Sequence, residues 1–65
     1  MVECLIVSSK YENEFTLGKR YTIEEGVFNR CVRSDEGVLY EFTGSSFEVR
    51  ESSTDESSPL IAVFM

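Results

Sequence analysis

Residues 54–65 read TDESSPLIAVFM, and the fold turns on where the last six of them go. Leu60, Ile61, Val63 and Phe64 are large or β-branched, so 60–65 predicts a short apolar strand, with Pro59 holding Ser58 in extended geometry ahead of it. Burying each of these side chains contributes about 1.5–3 kcal/mol, which matters greatly to a small domain. Three destinations are open. The strand can pair with an edge of its own sheet, exchange into a second copy to make a homodimer, or be presented to a foreign protein by strand addition. Apolar area left in water invites aggregation, so docking in the chain's own sheet or in a dimer mate is the expected resting state. Leu60, Ile61, Val63 and Phe64 are therefore the candidate partner-binding residues if the strand is offered outward.

Working back from this strand, residues 51–59 read ESSTDESSP and carry nothing apolar, which predicts a flexible acidic linker. Residues 1–50 have the composition of a β domain. VECLIVS opens with a β-branched run that places Val2, Cys4 and Ile6 on one face. KRYTIEE alternates with Tyr21 and Ile23 inward, and VFNRCVR reads as a less regular strand. SDEG is a tight turn, with Asp35 suited to a side-chain turn and Gly37 to positive φ. It leads into VLYEFTG, which places Val38, Tyr40 and Phe42 together on one face, and then FEVR, with Phe47 and Val49 facing the same way. Between the first two strands, SKYENEFTLGK predicts an irregular loop whose aromatics dip into the core. The expected core is Ile6, Tyr21, Ile23, Phe42 and Phe47. Five short strands at this spacing describe a small barrel, with the C-terminal strand as a sixth element.

The segments FTLGKRYTI, RSDEG and LYEFTGSSFEV resemble the short Src-homology-3-like barrels that recur in phage and bacterial genomes. The residues carrying the likeness are Cys4, Thr16, Gly18, Lys19, Tyr21, Asp35, Gly37, Phe42, Phe47, Glu48 and Val49, all within residues 2–50. The resemblance implies an all-β, five-stranded Src-homology-3-like barrel and a phage-encoded accessory protein acting in a host cytoplasm. It does not imply proline-motif recognition, because that groove usually includes a tryptophan and this chain has none.

Composition narrows the function further. The chain has 65 residues and a formal net charge of −6, and residues 51–65 hold Glu51, Asp55 and Glu56 with no basic residue. Such a chain offers no electrostatic footprint for phosphate backbones, so direct nucleic-acid binding is not expected. No apolar run reaches the roughly 18 residues that span a bilayer, and no basic, apolar leader opens the chain, so neither membrane insertion nor export is expected. Cys4 and Cys31 then read as reduced core thiols. With no histidine, the commonest general base and metal ligand is missing, and two cysteines alone do not close a zinc site, so no catalytic residue, cofactor or metal is expected. The expected function is non-catalytic binding and modulation of a host protein. Two alternatives stand beside it. One is an acidic nucleic-acid mimic that blocks a defence protein, for which Glu12, Glu14, Asp35 and Glu36 are the leading surface acids. The other is a structural or homo-oligomeric component.

Overall fold

A computed structural model describes residues 1–65. The chain is all-β apart from one 3-10 turn at Ser9–Tyr11, and its strands are β1 (Val2–Val7), β2 (Arg20–Tyr21), β3 (Ile23–Glu25), β4 (Arg30–Arg33), β5 (Leu39–Glu41), β6 (Glu48–Arg50) and β7 (Leu60–Phe64). They form two antiparallel sheets, a four-stranded one in the order β2-β1-β7-β6 and a three-stranded one in the order β3-β4-β5. The expected five strands and one addition are thus seven, because KRYTIEE breaks at Thr22 and feeds one sheet with Arg20–Tyr21 and the other with Ile23–Glu25. The ladders do not close into a continuous barrel. The chain instead turns corners between the sheets, one of them fastened by the Thr43 N–H donating to the Glu48 carbonyl at 2.8 Å.

The C-terminal strand is central to the larger sheet. Cys4 faces Phe64 and Val7 faces Ala62 on one side, while Val49 faces Ala62 and Arg50 faces Leu60 on the other. The ladder continues past the strand's end, where Glu3 and Met65 exchange backbone bonds of 2.9 and 3.0 Å. Both edges of β7 are therefore occupied within the chain, so a homodimer through this strand requires it to leave the sheet.

Two bulges set which side chains enter the core. Between Cys4 and Ile6 the β1 register slips by one residue against β7, which turns Ile6 outward at 53% exposure and Val7 inward against the core. The expectation that Ile6 lines the core fails for this reason, since strict alternation does not survive an inserted residue. A second slip between Val49 and Arg50 lies opposite Ile61, and it lets Ile61 and Ala62 both be buried although they are sequence neighbours.

The core is aromatic. Phe15, from the irregular loop, is fully buried and packs edge-on against Tyr21 at 5.4 Å and Phe64 at 5.2 Å between ring centroids, with Tyr40 at 5.5 Å. Phe64 also meets Phe42, which stacks edge-on against Phe47. Tyr21 and Phe42 take their expected core places, with Ile23 and Phe47 packed at the margin. Phe15 thus dips into the core as expected of its loop, while Leu17 beside it is 61% exposed. The serine-rich stretch 51–59 is a loop closed on itself, unlike the unanchored linker its composition suggests. The Glu51 N–H donates to the Pro59 carbonyl at 2.9 Å and Arg50 Nη1 donates to the Ser58 carbonyl at 2.9 Å.

Deleting residues 60–65 removes the middle of a sheet and should abolish the cooperative thermal transition followed by circular dichroism. Phe64→Ala should cost about 3–5 kcal/mol in chemical denaturation. A truncated chain that still melts cooperatively near the wild-type temperature would contradict the central placement of β7.

Candidate functional site

The β3–β4 hairpin ends its ladder at the Glu25–Arg30 pair and crosses between the strands through Gly26, Val27, Phe28 and Asn29. Each flank of this loop is fixed. A methyl group on Gly26 would collide with the Asn29 carbonyl oxygen and with Cys31 Sγ, so only glycine lets the chain fold this closely over Cys31. Asn29 Nδ2 donates to the carbonyls of Phe42 at 3.1 Å and Gly44 at 2.5 Å, and its Oδ1 accepts the Arg30 N–H at 2.8 Å. Between these anchors Val27 and Phe28 project with 88% and 90% of their surface in water.

Beside this tip lies a shallow cleft of about 560 Å³ on the outer face of the three-stranded sheet. Its apolar wall is Val27, Phe28 and Leu39, its floor is the buried Cys31, and Glu25 and Glu41 stand at its margin with no basic residue in the lining. Glu24 flanks the same row but is spent on Arg33, whose Nε and Nη2 donate to its carboxylate at 3.2 Å. Burial first, then the charges of Glu41, Glu24 and Glu25, pushes the Cys31 thiol up, which keeps it protonated and unreactive. Both cysteines are free and buried.

The densest polar cluster lies elsewhere. The Asp35 carboxylate accepts from Lys19 Nζ at 2.5 Å, Thr16 Oγ1 at 2.7 Å and the Tyr21 hydroxyl at 3.0 Å, while the Tyr21 oxygen accepts the Thr16 N–H at 2.8 Å. The Asp35 N–H in turn donates to the Glu14 carbonyl at 2.7 Å. These bonds clip the Phe15 loop to the turn before β5. Lys19 and Thr16 hold the Asp35 carboxyl below its ordinary value, the Asp35 bond raises Lys19, and burial raises Tyr21. Each group moves away from neutral pH, the reverse of what a general acid or base requires.

The acids singled out in the sequence come together at this corner. Glu14 and Asp35 are joined through the backbone, and Glu36 accepts from Asn13 Nδ2 at 3.4 Å beside the exposed Glu12. Asp35 is engaged with Lys19, whereas no ion pair engages Glu12, Glu14 or Glu36. Of the tail residues, Ile61 and Phe64 are buried in the chain's own core and Leu60 and Val63 are half-buried on the outer side of the sheet, so none stands free for a partner in this fold. Sequence periodicity missed Val27 and Phe28 because it extended β4 through them. The available signal was Gly26 and Asn29, two turn formers bracketing a pair of apolar residues. Searches of family models, curated proteins and solved structures find no match to this chain.

The Asp35 cluster yields a pH test. Its folded-state pKa is depressed, so its stabilisation is complete above the unfolded value of about 3.9 and is lost as pH falls through the folded value. Asp35→Asn should lower the melting temperature at neutral pH, and the gap to wild type should close below about pH 4. A gap that persists unchanged into acid would show that the ionised carboxylate is not what the variant removes.

Proposed function

We propose that this chain is a non-catalytic protein-binding module whose docking element is the Val27–Phe28 hairpin tip. The observation that carries the reading is the exposure of Phe28 on a rigidly anchored loop, in a protein that packs Phe15, Phe42 and Phe64 into its core. A small domain has few aromatic side chains for its core, and an aromatic held in water costs it burial energy and invites association. Exposed aromatic side chains with an apolar neighbour are the usual anchors of protein interfaces. Asp35, Lys19 and Tyr21 shift away from neutral pH, and the cleft is shallow, which supports binding over turnover.

The resemblance of residues 2–50 to phage and bacterial Src-homology-3-like barrels supports a finer reading. On it, the two packed sheets are a variant of that barrel, and the chain is a phage-encoded accessory protein that modulates a host protein in the cytoplasm. Free buried thiols fit a reducing compartment, and no helix is long and apolar enough to cross a membrane. The exposed Glu12 and Glu36 support the alternative of a nucleic-acid mimic, whereas Glu14 is half-buried with its Oε1 out of solvent and does not contribute to such a face. Four of the six basic residues pair with acids across the surface, which weakens the continuous negative field that a mimic needs.

Phe28→Ser should leave stability within about 0.5 kcal/mol of wild type, because the side chain contributes little to the core. In affinity capture from a bacterial lysate, wild type and the equally soluble control Leu17→Ser should retain the same protein and Phe28→Ser should lose it. Retention by Phe28→Ser would contradict the tip as the docking element.

A further inference from the structure

The cleft beside Phe28 has a charge as well as a shape. Its apolar residues are bordered by Glu25 and Glu41, and the nearest bases are turned to other tasks: Arg33 is paired with Glu24, and Arg30 lies 4.5 Å over the Phe47 ring. A second copy of this chain is a poor occupant, since it carries a net charge of −6 and would bring the same glutamates to the same margin. An acidic peptide is excluded on the same ground. A purely apolar segment would cover Glu25 without offering it a partner, and would cover Glu41, whose Oε1 already accepts from Ser53 Oγ at 3.2 Å, without a counter-charge, at a cost in desolvation.

We infer that this cleft takes a cationic, apolar peptide segment, in which a large apolar side chain seats against Phe28 and Leu39 while flanking lysines or arginines meet Glu25 and Glu41. The inference rests on the docking reading above and adds the chemistry of the partner. It assigns the two glutamates a role in recognition: they steer the segment to the cleft and reject acidic competitors, whereas Phe28 supplies the contact that holds it. Cys31 forms an inert floor, buried beneath the loop that Gly26 allows to close over it.

The test uses the isotopically labelled full chain and three synthetic octapeptides, titrated while the backbone amide signals are followed by nuclear magnetic resonance. One peptide has a Leu-Phe centre flanked by lysines, the second has the same centre flanked by glutamates, and the third has a Ser-Ser centre flanked by lysines. Only the first should shift the amides of Val27, Phe28, Cys31 and Leu39 as a saturable group. Its affinity should fall by about tenfold in the Glu25→Gln/Glu41→Gln double variant, and by a comparable factor on raising salt from about 0.05 to about 0.5 M. Equal binding of the lysine and glutamate peptides, abolished by Phe28→Ser, would overturn the charge inference and leave the docking reading standing. Equal binding of the Ser-Ser peptide would also overturn it, by reducing the effect to bulk electrostatics. No perturbation by any peptide would overturn it as well, with the docking reading then judged by the capture experiment alone.

Discussion

The structure depends on one strand being enclosed. β7 lies between β1 and β6, so the last residues of the chain complete the larger sheet, and every earlier strand of that sheet waits for them. Phe64 is the point of contact with the rest of the core, since it touches Phe15, Tyr21 and Phe42 and so links the loop and both sheets. A chain of 65 residues buries a smaller share of its surface than larger domains do, and it cannot spare such a cluster. Phe15 depends on it in turn. It comes from a loop without regular structure, and the loop is held by the Asp35 bonds to Lys19, Thr16 and Tyr21.

This enclosure has a functional consequence. The apolar terminus, the most conspicuous binding candidate in the sequence, is consumed by folding, and the surfaces left for recognition are those the two sheets do not use. Of these, the β3–β4 tip differs from the other exposed apolar residues in its construction. Leu17 and Val38 sit beside turns, whereas Val27 and Phe28 are held out between a glycine that no larger residue replaces and an asparagine bonded to two carbonyls of another segment. A rigid aromatic pays little entropy on binding, which favours it as an anchor.

Much of this fold is legible in the sequence, and the failures have physical causes. The β-branched and aromatic runs locate the strands from VECLIV to LIAVF, because pleated, half-buried surfaces select those side chains. That the terminus docks follows from the cost of leaving it wet, whereas its place between β1 and β6 does not, since the sequence points only to pairing with an edge or with a second copy. Ile6 could not be placed, since a bulge reverses the alternation and leaves no composition signature. The division of KRYTIEE between two sheets is invisible for a related reason, as the break at Thr22 falls on a residue equally at home in a strand. Residues 51–59 look unanchored because their anchors are hydroxyl and backbone groups, such as Ser58 Oγ accepting the Ser52 N–H at 3.1 Å. The exposed tip at Val27 and Phe28 escapes periodicity because seven residues of mixed polarity read as one strand, whereas the ladder begins only at Arg30.

Amide hydrogen exchange of the intact chain tests the central claim most directly, because it reports the enclosed strand and the exposed tip together. The Phe64 N–H donates to the Phe47 carbonyl at 2.9 Å and the Ser8 N–H to the Ile61 carbonyl at 2.8 Å. Both amides should be among the slowest to exchange, opening only with global unfolding, while those of Val27 and Phe28 exchange fast. Rapid exchange at Phe64, at rates close to those of the hairpin tip, would mean that the terminus is not built into the sheet and would contradict this account.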